Sequence, residues 1–249
     1  MTSCPTADPV LSTALDKREA RIRKMFAAIA PRYDLLNHLL SLNIDRYWRW
    51  RTTRLVPPKG EAPILDLCTG TGDLAFAYAR AGEVRPPIVG ADFCHEMLTR
   101  AVAKGVRGGN AERVRFLEAD AQKLPFADAT FQIATVAFGL RNVTNPDRGI
   151  SEMVRVLKPG GRVAILEFSR PRHWLLGRLY RFYFRRLLPL VGQWLSRSPD
   201  DAYSYLPASV LEFPDGEELA QRLRDHGLSE VCWYPFTFGI ATLYVGAKN

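Results

Sequence analysis

A doubly wound α/β fold with a mostly parallel sheet is the fold class this sequence predicts, on three observations. Short apolar runs alternate with amphipathic stretches of about 10–13 residues, the rhythm of parallel βαβ units. A glycine-rich turn, Gly70-Thr71-Gly72, closes the first apolar run and opens a helical stretch. The chain has 249 residues, 47% of them hydrophobic, which suffices for one sizeable core and not for two large domains.

In order along the chain, residues 1–16 read as a flexible tail and residues 17–249 as a single domain. Residues 17–58 form N-terminal helices: a helical pattern from Leu15 to Ala30 is interrupted by Pro31, and YDLLNHLLS and DRYWRWRTTRLV follow, the last ending at Pro57-Pro58. Residues 63–169 carry the alternation. PILDLC, PIVGAD, VRFLEAD, TFQIATVAFGL and RVAILEFS read as strands. GDLAFAYAR, HEMLTRAVAKG and PDRGISEMVRVLK read as the helices between them, the last ended by Pro159-Gly160-Gly161. Residues 171–212 break the rhythm and read as an inserted helical segment. Residues 213–249 close the domain with a helix, N-capped by Asp215 and C-capped by Gly227, and a hairpin turning near Pro235 to Gly239.

Composition narrows the classes. Charged residues make up 24%, so bulk disorder is not expected. The longest apolar stretches are about ten residues, short of the ~18 that span a bilayer, and the N-terminus lacks the basic and apolar regions of a secretory signal. Four widely spaced cysteines (Cys4, Cys68, Cys94, Cys232) form no CxxC pair, which fits a reducing, cytoplasmic compartment. The net charge of +8 is concentrated. Residues 17–54 carry ten basic and three acidic side chains, and residues 170–197 carry seven basic and none acidic. These segments suit an anionic partner (membrane phosphates, nucleic acid or an anionic substrate) or are two solvated helix faces.

The glycine loop carries the chemistry. Its glycines let backbone N–H groups approach a ligand, and the helix N-terminus favours an anionic group there. Asp92 follows 20 residues after Gly72, at the end of the second strand, where a carboxylate accepts hydrogen bonds from a ribose diol. NAD and S-adenosyl-L-methionine both satisfy that geometry, and Asp66 separates them. A carboxylate on the first strand suits the ammonium of a methionine tail, and a pyrophosphate gains nothing from it. Alternatively, Asp66 only holds backbone amides of the turn. Asp120-Ala121 ends the third strand with an acceptor for an exocyclic adenine amine, and Phe93 packs on the adenine or in the core. No pair among His38, His95, His173 and His226 has metal-ligand spacing, so no metal is expected. Only His38 is a candidate acid/base.

Together, the Asp66-Leu-Cys-Thr-Gly-Thr-Gly-Asp73 string, Asp92, Asp120-Ala121 and Leu157-Lys-Pro-Gly-Gly161 resemble a class I S-adenosylmethionine-dependent methyltransferase. Four further strings narrow the resemblance to the ubiquinone/menaquinone biosynthesis C-methyltransferases of the UbiE/MenG type: Tyr33-Asp-Leu-Leu-Asn37 with Ser41 and Trp48, Phe138-Gly-Leu-Arg-Asn-Val-Thr144, Arg155 to Ser169, and Asp201-Ala-Tyr-Ser-Tyr-Leu-Pro-Ala-Ser209. It covers about residues 18–248. Asp45 stands where the signature often has His, Leu36 where it often has Met, and Ala137 where many relatives have Ser. A histidine at position 45 is therefore not essential here.

The resemblance implies a Rossmann-like, seven-stranded sheet, S-adenosyl-L-methionine as cofactor, and methylation of a ring carbon of a prenylated quinol, demethylmenaquinol or the related ubiquinol precursor. Such a ring is nucleophilic as a phenolate, so the site needs a positive charge or a base near the hydroxyl. Arg141 is the candidate charge, directly or through a water, and Asn142 the candidate partner of a ring oxygen. The alternative is that Arg141 pairs with a structural carboxylate and Asn142 caps a turn. Tyr33 and Phe138 are candidate acceptor contacts, with Tyr33 either in a helical lid or simply packing the N-terminal helices. The segment 171–197, where Arg178, Arg181 and Arg185 share one helical face, suits peripheral contact at the inner face of a membrane. Equally it suits a core-packing or dimer helix, which leaves a homodimer open. No nucleic-acid partner is expected. An RNA or other nucleic-acid methyltransferase using the basic segments is the alternative function, although no Asn-Pro-Pro-Tyr-like string follows the fourth strand.

Overall fold

Strand β1 (Ile64–Leu67) is buried at every residue, as a four-residue apolar run must be when both its faces are covered. It sits near the middle of a seven-stranded sheet with β2 (Ile88–Asp92), β3 (Val114–Glu118), β4 (Phe131–Ala137), β5 (Leu157–Phe168), β6 (Leu228–Phe236) and β7 (Ala241–Lys248), in the order β3-β2-β1-β4-β5-β7-β6. The first five strands are parallel, and β7 runs antiparallel between β5 and β6. In the computed structural model the described residues are 18–171 and 202–249, without the side chains of 202–204 and 206. The tail 1–16, His173 and most of the segment 171–197 lie outside them.

Helices α1 (Glu19–Ile29), α2 (Tyr33–Leu40) and α3 (Ile44–Leu55) precede the sheet, with a 3-10 turn at Ala30–Arg32 where Pro31 interrupts the helix. Helices α4 (Asp73–Arg80), α5 (His95–Arg107) and α6 (Pro146–Val156) make the crossovers, and α7 (Ala202–Glu212) and α8 (Glu217–Asp225) follow β5. Because side chains alternate across a strand, Leu65, Leu67, Ala134 and Val136 face α6 and α8 in one core, while Ile64, Ile88 and Ile133 face α3 and α4 in another. A smaller cluster of Ile22, Met25, Leu36, Tyr205 and Val210 joins the N-terminal helices to α7.

Two local readings are corrected. Helix α6 ends at Val156, two residues before the expected stop, because Leu157 already pairs with Phe131 in the sheet. The Pro-Gly-Gly stretch then makes a register shift, after which Ile133 pairs with Arg162. Asp215 does not cap α8. Its carboxylate is taken by the backbone N–H and guanidinium of Arg170, at 2.8–3.1 Å, and Gly216 occupies the cap position with φ +63°.

The chain reverses strand order between β1 and β4, and ligands of open α/β sheets bind outside the carboxyl ends at such a switch point. The register sets Leu67 beside Ala91 and Val136, so the loops after β1, β2 and β4 leave the sheet at one level.

Candidate active site

A cleft of about 750 Å³, counting its open mouth, lies at this level. Its floor is made by the ends of β1, β2, β3 and β4, and α1 and α2 roof it with Ile22, Phe26 and Tyr33. Gly70, Asp92, Phe93, Asp120, Ala121, Tyr33, Phe138 and Asn142 all line it, whereas Asp66, Thr71, Gly72 and Arg141 do not.

On the β1–β3 side the turn is built by carboxylates. Gly70 (φ +56°) and Gly72 (φ +85°) take left-handed backbone, and a Cβ at Gly72 would stand 2.8 Å from Phe76 and 2.9 Å from Phe116. Asp66 accepts hydrogen bonds from the Thr69 hydroxyl (2.6 Å) and the Ala75 N–H (3.1 Å), so it does hold the turn and the start of α4. Its other oxygen, Oδ1, is buried with no partner, and burial pushes the carboxyl up to about 7. Asp92 accepts from the N–H groups of Gly70 (2.8 Å) and Cys94 (2.9 Å), and burial raises it to about 6. Asp120 accepts from the Gln122 N–H at 2.8 Å.

This side fits S-adenosyl-L-methionine. Asp66 keeps one oxygen unpartnered beside the loop. A Cβ built on Gly70 would meet only the Tyr33 ring, at 3.8 Å, so the space over the loop is open. Asp92 lines the cleft, and the Gly70 and Cys94 N–H groups place one bond on each of its oxygens, each of which can accept roughly two, leaving capacity for a diol.

Thr71 is turned away from the cleft. Its hydroxyl donates to Asp34 on α2 and accepts from Lys104 on α5 (3.2 Å). Lys104 also pairs with Asp34 and with Asp73 (2.8 Å), and Arg49 lies 3.8 Å from Asp73 and donates to Asp45. His38 Nδ1 lies 3.0 Å from Asp45. Burial works against the Asp73 charge, yet Arg49 and Lys104 hold its carboxyl below the ordinary value. Facing atoms of His38, Asp45 and Asp73 lie within 4.8 Å of one another, and the Arg49 guanidinium already supplies positive charge to both carboxylates. One polar chain thus ties the N-terminal helices to the loop.

The β4–β5 side is different. Phe138 leaves β4 with φ +59°, its ring 4.4 Å from that of Phe168 and 5.8 Å from that of Trp48. The next residue must be glycine, because a Cβ at Gly139 would stand 2.3 Å from the Cβ of Cys68. Arg141 is buried and pairs with Glu167 at 2.9 Å, while its guanidinium also donates to the Phe138 carbonyl and lies 5.3 Å from the Phe168 ring. The structural-carboxylate reading of Arg141 therefore describes its contacts. Asn142 donates to the same carbonyl at 3.4 Å, and its Oδ1 is buried without a partner. Burial pushes the Tyr33 phenol above its ordinary value.

Sequence reasoning missed Glu167, Lys104, Asp34 and Arg49. Glu167 carried a signal, a lone carboxylate in an apolar strand that needs a buried partner. Lys104 carried none, since its partners are 31 or more residues away.

Residues 14–248 match the ubiE/COQ5 methyltransferase family. The chain belongs to it. The family's relatives include a protein of Geobacter sulfurreducens named ubiquinone/menaquinone biosynthesis C-methyltransferase UbiE, 45% identical over 94% of this chain and 91% of its own. Proteins named demethylmenaquinone methyltransferase are 44% identical in Deinococcus radiodurans, over 97% of this chain and 98% of that one, and 46% identical in Thermus thermophilus, over 90% and 100%. Among solved structures, an S-adenosylmethionine-dependent methyltransferase of Thermotoga maritima matches with a TM-score of 0.67 over 92% of this chain and 100% of that one, at 18% identity. The [4+2]-cyclase SpnF also matches at 0.67, with 17% identity over 91% and 94%. These show the class I methyltransferase fold of the ubiE/COQ5 family, and the cyclase illustrates that this fold alone does not fix a reaction.

Proposed function

We propose that this chain is an S-adenosylmethionine-dependent C-methyltransferase of menaquinone or ubiquinone biosynthesis, methylating a prenylated quinol ring, with demethylmenaquinol as the first choice of acceptor. The observation that carries it is one cleft with Asp92, Asp120 and Gly70 on one side and the unpartnered Oδ1 of Asn142 on the other, in a chain of this family. The relatives' names favour a quinone ring over nucleic acid.

S-adenosyl-L-methionine, when bound, supplies an electrophilic methyl group on a sulfonium. Asp92 would accept from its ribose, Asp120 from its adenine, and the loop N–H groups with Asp66 Oδ1 would receive its methionine end. Phe93 and Ala121 would flank the adenine. Tyr33 and Phe138 would enclose the acceptor ring and exclude water. Asn142 Oδ1 would take the hydrogen bond of the ring hydroxyl and so fix which carbon faces the donor. Arg141, neutralised by Glu167, is a weaker source of positive potential than a free guanidinium. Its role in this reading is to hold the Phe138 carbonyl and hence Asn142, with its residual field favouring the phenolate.

Among the described residues no helix is long and apolar enough to cross a membrane. The polyprenyl tail of the acceptor supports a cytoplasmic protein that works peripherally at the inner face of a membrane. The decisive assay is transfer of labelled methyl from S-adenosyl-L-methionine to demethylmenaquinol and to the prenylated benzoquinol precursor, side by side. Label in either quinol supports the reading; label in neither, with cofactor bound, overturns it.

A further inference from the structure

We propose that the outer faces of α2 and α3, together with the tip of the β6–β7 turn, form a docking surface for an anionic lipid bilayer. This rests on the lipid-tailed acceptor proposed above. Twelve large hydrophobic side chains are exposed among the described residues, and half of them gather here: Leu35, Leu39, Leu42, Tyr47, Trp50 and Phe238. Leu42 and Phe238 are each 77% exposed, the most of any in that group. Scattered singly, such residues would need no explanation; clustered, they mark an interaction face.

The three elements that carry these side chains are tied to one another. A short turn joins α2 to α3, and the Ser41 hydroxyl (2.7 Å) and His38 (3.0 Å) both hold Asp45 across it. The β6–β7 turn is fastened alongside by the Trp48 indole N–H donating to the Thr237 hydroxyl at 2.8 Å, and by the Tyr47 and Phe236 rings at 6.5 Å. Phe238 keeps its exposed ring on a backbone with φ +58°, a conformation that L side chains rarely adopt.

Charge names the partner. Arg46 and Arg54 are exposed one turn either side of Trp50 on the same stripe of α3. The acidic residues of these two helices, Asp34 and Asp45, are spent inside on Thr71, Lys104 and Arg49. Among the described residues of α2 and α3 the outer face therefore combines leucines, aromatic rings and arginines, with both carboxylates of these helices turned inward, which suits an interface of headgroups and acyl chains. Two copies facing each other across a two-fold axis would bring these arginines toward their own kind. Position fits as well: α2 presents Tyr33 to the cleft, and a helix is only about 10–12 Å across. An acceptor ring can sit in the cleft while its tail stays in the bilayer.

The test is co-sedimentation of the full chain with phosphatidylglycerol/phosphatidylcholine vesicles and with phosphatidylcholine vesicles alone. Wild type should prefer the anionic vesicles. Leu42→Asp/Phe238→Asp should lower partition at least tenfold, and Arg46→Gln/Arg54→Gln should remove about fivefold per arginine at low salt. Both variants should keep wild-type transfer to a short-tailed quinol in detergent and lose transfer to a long-tailed quinol in vesicles. Absence of wild-type binding, or equal binding by the variants, overturns the proposal, the latter by moving the contact elsewhere in the chain. A concentration-dependent dimer abolished by Leu42→Asp/Phe238→Asp also overturns it, by making the face an interface between copies. If wild type methylates no quinol in detergent, the proposed function fails instead, and the sedimentation result still decides the surface.

Discussion

The two sides of the cleft use buried charge in opposite ways. On the β1–β3 side, Asp66, Asp92 and Asp120 accept backbone N–H groups of the turns; Asp92 and Asp120 also line the cavity, and Asp66 keeps a buried oxygen unpartnered beneath the loop. On the β4–β5 side, Arg141 and Glu167 pair with each other away from the cleft, and Asn142 lines it instead. The first side is a set of polar groups prepared for a polar ligand. The second is an aromatic wall stiffened by an internal ion pair, suited to a flat, largely apolar ring. The lesson is that an ionised residue at the carboxyl edge of a sheet need not touch the ligand to shape the site.

Breaking the ion pair should produce the largest effect. Arg141→Met or Glu167→Ala alone leaves a buried charge without its partner, an expected loss of about 3–5 kcal/mol in stability. Arg141→Met/Glu167→Leu should restore much of it in chemical denaturation. Activity recovered along with stability would make the pair structural, and a stable but inactive double variant would give Arg141 a direct chemical role. Next comes Asp92→Ala, which removes the acceptor of two backbone N–H groups and of the expected ribose diol. Cofactor dissociation, followed by calorimetry, should weaken about 100-fold, the equivalent of two charged hydrogen bonds. Asn142→Ala should lower kcat about 10–30-fold with cofactor affinity unchanged; an equal loss in cofactor binding would move Asn142 to the other side of the comparison.

The smallest effect is a matter of slope. Asp66 (about 7) and Asp92 (about 6) lie above the ordinary value of 3.8 in the folded chain. The fold therefore binds protons that the unfolded chain has released. Their contribution to stability is full below about pH 4 and is lost as pH rises to about 7. Asp66→Asn should flatten the decline of Tm between pH 5 and pH 8. If the ionised carboxylate receives the cofactor's ammonium, wild-type affinity should climb over the same window and that of Asp66→Asn should not.

The fold was open to reading because strand–helix alternation and the glycine turn are local. Even so, the stop of α6 was misplaced, since only pairing with Phe131 recruits Leu157 into β5. Legibility of the site followed the same line. Asp92, Asp120 and Gly70 stand at strand ends whose position the topology dictates. Thr71, a candidate ligand contact, turns its hydroxyl to Asp34, 37 residues earlier, and of the two readings of Arg141 the structure shows the pairing, with Glu167, 26 residues later. No spacing rule announces such partners, because they are set by which helix and strand the finished sheet brings alongside.

The polar chain from His38 to Lys104 also bears on the order in which the protein is made. Helices α1 to α3 leave the ribosome before the sheet, yet Thr71, Asp73 and Lys104 emerge after them, and Thr237, which anchors Trp48, emerges 189 residues after Trp48. These helices must therefore wait for their seat, with Trp48 and Leu36 lacking their final neighbours until the sheet is nearly complete. The N-terminal layer can complete its packing only once those later partners are in place, and until then it is a stretch a chaperone has reason to hold.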